Sequence, residues 1–151
     1  MTIGANSHSQ CTGFSLLELL IAVTVVAIIS SFALPAWRGY ITSARRIDAT
    51  ASLLHIATRQ EQFRLQNRRY ASANELGLPP PAGLGVTETP DGHYQLAISA
   101  TATGYVASAT VTATGYQQDD ARCEIFSLDE TGLRTASSAE GNDTTDVCWR
   151  R

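Results

Sequence analysis

One carboxylate, Glu18, stands inside an otherwise apolar run, FSLLELLIAVTVVAIISSFAL, that extends from Phe14 to Leu34. A charge in hydrocarbon is unfavourable by about 2.5–3.5 kcal/mol on insertion scales, so it calls for a partner. If the chain were cut after Gly13, Phe14 would carry a new amino group one helical turn from Glu18. The carboxylate of one copy could then meet the amine of a neighbour and favour one axial register between packed helices. A Glu that snorkels to the interface, or is protonated, is the competing reading.

The other candidate groups are fewer than ordinary catalysis requires. His8, His55 and His93 support no Cys–His or Ser–His–Asp arrangement, and neither a phosphate loop nor a glycine fingerprint is present. Glu140, Asp143 and Asp146 are candidate calcium ligands, but their order does not match an EF-hand, and a solvated acidic loop is the simpler reading. Arg59, Arg64, Arg68 and Arg69 are a candidate phosphate-contacting patch, since arginine suits phosphate. Cys11, Cys123 and Cys148 match no zinc spacing. In an exported domain Cys123 and Cys148 read as a disulfide, and two buried thiols are the alternative. No enzymatic activity and no cofactor are expected.

Charge is unevenly distributed. All 11 basic side chains are arginine. Residues 36–69 hold seven of them against Asp48 and Glu61, a net of +5, and residues 70–151 hold four against eleven acids, a net of −7. Such halves can pair within a subunit or across a contact between subunits. The acidic remainder argues against a broad nucleic-acid footprint.

The elements that must position these groups follow from periodicity. A 21-residue apolar segment is about 30 Å long as a helix, enough to cross a bilayer. Pro35 follows, yet Tyr40, Ile41, Ala44, Ile47 and Ala51 continue a helical spacing, so the helix is expected to bend near Pro35 and not to end there. Helix is predicted to about Arg69, with Ile47, Ala51, Leu54, Thr58 and Leu65 as the stripe facing a sheet, widened by Leu53, Ile56 and Phe63. Residues 71–92, rich in Gly and Pro, read as a loop. Strands are predicted at 94–100, 105–114, 123–128 and 133–136, the last two joined by the turn Asp129-Glu130-Thr131-Gly132. Residues 137–146 read as a polar loop. The expected class is α+β, one long helix packed on a four-stranded antiparallel sheet.

Gly13-Phe14-Ser15-Leu16-Leu17-Glu18-Leu19 resembles the prepilin cleavage and methylation motif of type IV pilins and type II secretion pseudopilins. Ser15 and Leu17 stand where the familiar form has Thr and Ile. The resemblance implies removal of residues 1–13 by the inner-membrane prepilin peptidase, N-methylation of Phe14, and retention of residues 14–35 as membrane anchor and later filament core. Residues 36–151 would form a periplasmic head. Met1 to Gly13 carries no Lys or Arg, so the cytoplasmic N-terminus rests on the resemblance and not on charge bias. A removable secretory signal would need a positive n-region, which is absent, though Ser31, Ala33 and Ala36 could imitate its cleavage site and keep it as an alternative; the polar residues before Cys11 exclude a lipoprotein signal.

Arg59-Gln60-Glu61-Gln62-Phe63 through Tyr70 is similar to the end of a pilin's long helix. Cys123 through Gly132, with Cys148-Trp149, resembles the disulfide-bounded region of PilE-type minor pilins. The resemblance therefore implies a structural minor subunit of a type IV pilus, supporting assembly, twitching motility and adhesion. Its partners would be other pilins, the prepilin peptidase, the inner-membrane assembly machinery and the membrane. A type II secretion pseudopilin and a DNA-binding competence pilin are the alternatives.

Overall fold

The structure is a computed structural model that describes residues 15–113 and 117–149. It falls into two compact units, Met1–Gly39 and Tyr40–Arg151. Gly13 and Phe14 lie outside the described residues.

Helix α1 spans Leu16–Asn67, and its assignment runs through Pro35 without ending. In the first unit its large apolar side chains, from Leu16 to Trp37, are all exposed. Thr24 donates to the Leu20 carbonyl at 2.7 Å and Ser31 to the Ile28 carbonyl at 2.6 Å. Both hydroxyls are thus satisfied within the helix, as a segment in hydrocarbon requires.

In the second unit α1 supplies one wall of the core. The main row of the predicted stripe is on the wrong face, while Leu53, Ile56 and Phe63, expected to widen it, are buried. Ile47, Ala51, Thr58 and Leu65 are exposed, and Leu54 largely so. The buried face is Ala49, Leu53, Ile56, Gln60 and Phe63, spaced 4, 3, 4 and 3. Both rows have helical spacing, and periodicity alone does not say which row meets the sheet. The helix stops two residues earlier than expected. Asn67 donates to the Phe63 carbonyl at 3.1 Å, and Arg68 adopts a left-handed conformation (φ 57°) that ends the helix.

The sheet is a meander, β1 (Tyr94–Ala100), β2 (Tyr105–Val111), β3 (Ile125–Asp129) and β4 (Arg134–Ser137), hydrogen-bonded in that order and antiparallel throughout. β2 and β3 start or stop a few residues from their predicted bounds. Alternation selects the inward face: Tyr94, Leu96 and Ile98 of β1, Tyr105, Ala107 and Ala109 of β2, Phe126 and Leu128 of β3 are buried. Phe126 is central, with Tyr94 edge-on at 5.7 Å and Trp149 at 5.9 Å between ring centres. The predicted turn is present: Asp129 Oδ1 accepts from the Thr131 and Leu133 amides at 2.9 Å, and Gly132 takes a positive φ of 85°.

Two connections carry structure that the pattern did not predict. A 3₁₀ turn, Ala73–Glu75, sits in the glycine–proline loop. There a Cβ at Gly83 would collide with the Glu75 carbonyl, so only glycine allows that approach. The polar loop before Cys148 closes with a short helix, α2 (Thr145–Cys148), against β4.

Candidate functional site

The head's chemistry is concentrated where α1 meets the loops that enter and leave the sheet. Gln60, fully buried, faces the chain just after α1 has turned back. Its amide nitrogen donates to the Ala71 carbonyl at 3.0 Å, and its oxygen accepts from the Ala71 amide at 2.8 Å. One side chain thereby satisfies both polar groups of a buried backbone unit. The 4–3 spacing of Leu53, Ile56, Gln60 and Phe63 is the signal that Gln60 belongs to the core.

Beside it, the Tyr70 hydroxyl accepts from Arg64 at 2.7 Å and donates to Glu61 at 3.1 Å. Burial, followed by the Glu61 hydrogen bond, pushes the Tyr70 hydroxyl above its ordinary range. Tyr105, packed edge-on against Tyr70, is pushed by burial to about 12. Both hydroxyls stay protonated at neutral pH.

The arginine run is largely engaged within the subunit. Arg46 makes a two-pronged pair with Asp120, at 2.7 and 2.8 Å. Its side chain is 11% exposed and that of Asp120 3%. Gln117 donates to the same carboxylate at 2.9 Å and to the Thr42 carbonyl at 3.1 Å, fixing the loop before Cys123 to the helix. Arg69 forks onto Glu75 at 2.6 and 2.8 Å, and this hydrogen bonding holds the Glu75 carboxyl down at about 2. Arg64 and Arg69 also lie over the rings of Tyr70 and Phe63. Of the candidate phosphate-contacting arginines, Arg64 and Arg69 are thus committed. Arg59 donates to His55 at 3.3 Å, and Arg68 is exposed at the end of α1.

Cys123 and Cys148 are joined as a disulfide, with Cα atoms 5.7 Å apart. Trp149 follows at once and donates to the Thr135 carbonyl at 2.9 Å, so the covalent tie and the tryptophan fasten the same end of the sheet. In the acidic loop Asp143 accepts from the Thr145 amide and hydroxyl, which lowers its carboxyl, and Glu140 accepts from Asn142. Among the described residues no three His, Cys, Asp or Glu side chains are grouped to hold a metal ion. A shallow groove of about 290 Å³ runs between α1 and the β3–β4 turn, lined by Leu54, Thr58, Glu61, Asp129, Glu130 and Arg134.

The family described as type IV minor pilin ComP, DNA uptake sequence receptor, matches residues 35–127, and the prokaryotic N-terminal methylation motif matches residues 8–34. The chain belongs to this family of type IV pilins.

The pilin is also 32% identical over 72 residues to the type IV major pilin protein PilA of Myxococcus xanthus, covering 47% of this chain and 33% of that one. It is 26% identical over 76 residues to the type II secretion system core protein G of Pectobacterium carotovorum, covering 48% and 49%. The chain therefore spans a third to a half of the length of the curated relatives it matches. A solved type IV pilin from Shewanella oneidensis aligns with 62% of this chain and 89% of its own, at 24% identity and a TM-score of 0.42. Type IV pilins assemble with other pilins, and their leaders are processed by prepilin peptidase. In this pilin Glu18 sits in the first turn of α1, exposed within the apolar segment. The 18-residue window of highest mean hydropathy in α1 reaches 2.4 with no residue buried inside the fold, so length and composition suffice to cross a membrane.

Proposed function

We propose that this pilin is a minor structural subunit of a type IV pilus, without enzymatic activity of its own. Its leader, residues 1–13, is removed between Gly13 and Phe14, and Phe14 is then N-methylated. Residues 14–35 anchor the subunit in the inner membrane with the head, residues 36–151, in the periplasm. After extraction by the inner-membrane assembly machinery the same segment becomes filament core. Glu18 pairs with a neighbour's amino terminus to set the axial register, and Pro35 bends α1 where anchor passes into head. The subunit supports pilus assembly, twitching motility and adhesion.

The observation that carries this reading is the methylation motif leading directly into a fully exposed apolar helix. Exposed in water, that helix would be a strong aggregation hazard, so its surface is suited to lipid or to like helices. Intact-mass analysis of membrane-extracted protein tests it. A mature chain beginning at methylated Phe14 is expected, and any other mature N-terminus refutes it. Loss of surface pili on deleting the gene, restored by wild type but not by Glu18→Ala, is the expected cellular result.

A second reading is favoured by the family's description as a DNA uptake sequence receptor, which would make the head a DNA-contacting module. Arg59 and Arg68 are then the side chains of the basic run best placed to reach phosphate, since Arg46, Arg64 and Arg69 are held internally. Anisotropy titrations of labelled duplex DNA with the detergent-solubilised chain, repeated across salt concentrations, decide it. An affinity that falls steeply with salt supports DNA contact, and absence of binding at low salt removes it. For a type II secretion pseudopilin, suggested by the likeness to core protein G, secretion and not piliation would fail in the deletion strain. The disulfide favours the pilus reading.

A further inference from the structure

The polar loop between β4 and α2 holds chemistry that the pilus reading leaves unused. It contains the run Glu140-Gly141-Asn142-Asp143-Thr144. An asparagine followed two residues later by a hydroxyl residue, with no proline between, is the acceptor pattern for N-linked sugar. A carboxylate two residues before the asparagine, here Glu140, is the extension that bacterial acceptors carry. The chain has four asparagines, and the other three lack the pattern: His8 stands at that distance from Asn6, Arg69 from Asn67 and Leu76 from Asn74.

The fold presents this run to solvent. Glu140, Gly141, Asn142 and Asp143 are exposed and Thr144 is half-buried. The turn is closed from within, the Gly141 amide donating to the Ser138 carbonyl at 2.9 Å and the Ser138 amide to the Asn142 carbonyl at 3.0 Å. Gly141 takes a positive φ of 81°, so glycine fills the left-handed position and the turn does not call for asparagine beside it. A Cβ placed at Gly141 would meet no atom within 4 Å, so the space above the turn is open. Among the described residues the Asn142 side chain makes one hydrogen bond, its Nδ2 donating to the exposed Glu140 at 3.1 Å. The turn also borders a shallow hollow of about 230 Å³ on the outer face of the sheet, lined by Ile125, Ser127, Thr135, Ser137, Gly141 and Asp143. Hydroxyls beside an apolar side chain suit a sugar ring, so a sugar on Asn142 has a surface to lie against and displaces nothing.

We propose that Asn142 is a site of N-linked glycosylation. The donor is an oligosaccharide carried on a lipid pyrophosphate, and the catalyst is a membrane oligosaccharyltransferase acting on the exported head. In the transfer the bond between the anomeric carbon and the pyrophosphate oxygen breaks, and that carbon bonds to Asn142 Nδ2. The amide gives up one proton and the lipid pyrophosphate leaves, with no change of oxidation state. The Thr144 hydroxyl marks the acceptor, and Glu140 offers a carboxylate to a cationic group of the transferase. This rests on the reading that exports the head and adds a covalent modification of its surface.

The test is mass spectrometry of the full chain purified from its native cells, reduced and digested with trypsin, reading the peptide from Thr135 to Arg150. The expected peptide is heavier by a whole number of sugar residues, and electron-transfer fragmentation places the addition on Asn142. Asn142→Gln and, separately, Thr144→Val should each lower the modified fraction at least tenfold while the Cys123–Cys148 disulfide stays oxidised. An unmodified peptide, a sugar placed on one of the peptide's Ser or Thr residues, or a modification that survives Asn142→Gln or Thr144→Val would overturn the proposal. An unmodified peptide from a chain that begins at methylated Phe14 and is recovered in sheared filaments would overturn the site and uphold the pilus reading. A peptide glycosylated on Asn142, from a chain missing from filaments, would do the reverse.

Discussion

Replacing Gln60 by Met keeps the length and the apolar stem of the side chain but removes both of its hydrogen bonds to Ala71. The Ala71 amide and carbonyl then stay buried without partners, because Ala71 is fully inaccessible. Each such group costs about 1–3 kcal/mol, and Met recovers part of that as apolar burial, so we expect a net loss of about 3 kcal/mol. Small domains are stable by about 5–15 kcal/mol, so this is a large share. With a urea dependence of about 2 kcal/mol per molar, the unfolding midpoint should fall by about 1.5 M. The assay is urea unfolding of the detergent-solubilised chain followed by near-UV circular dichroism. It is paired with hydrogen exchange at the Ala71 amide, which should lose its protection even under native conditions. Gln60→Glu should cost at least as much, since it removes the donor and buries a charge. A midpoint shift below about 0.3 M, with Ala71 still protected, would show that the clamp is not what holds the chain after α1.

Three further outcomes follow from the same geometry. Asp120→Ala leaves Arg46 as an unpaired buried cation, so a loss of about 3–5 kcal/mol is expected in the same assay, against well under 1 kcal/mol for an exposed charge such as Asp91. Reducing the Cys123–Cys148 bond, or replacing both residues by Ser, reopens a loop of 25 residues' separation and should cost about 3.5 kcal/mol by chain entropy, read as a lower melting temperature. Arg69 holds the folded Glu75 carboxyl at about 2, below its usual value near 4.5, so the pair stabilises fully above pH 4.5 and the stabilisation fades as pH falls toward 2. Glu75→Gln should therefore flatten that part of the stability profile, measured as melting temperature between pH 6 and pH 2.5.

The class of the molecule was legible from residues 13–34 because Gly13 to Leu19 resembles the prepilin motif and leads into a long apolar run; the lone carboxylate by itself left a snorkelling or protonated Glu18 open. The strands were legible because Tyr94 to Ala100 alternates strictly and Asp129 to Gly132 is a turn by composition. The helix face was not. Ile47 and Leu65 are as apolar as Leu53 and Phe63, and a helix with two apolar rows gives period without direction. Sequence reasoning centred the stripe on the row that the sheet leaves uncovered and placed the buried Leu53, Ile56 and Phe63 at its margin. The internal pairing of the arginines was also hidden, because Arg46 and Asp120 lie 74 positions apart and neither is marked by local pattern. Gln60 was missed for a related reason: the rows were traced through apolar residues alone, and Gln60 shares the phase of Leu53, Ile56 and Phe63 without their polarity.

The order of strands in the sheet is the order of strands in the chain, and this has a consequence in time. As the chain is synthesised, α1 is complete before β1, and each new strand needs only the one before it as template, so pairing is local and loop closure is cheap. The residues that seal the core, Phe126, Cys148 and Trp149, come last. Until they arrive, Leu53, Ile56 and Tyr94 have no lid, and the nascent head presents two apolar helix faces where the finished one presents a single row.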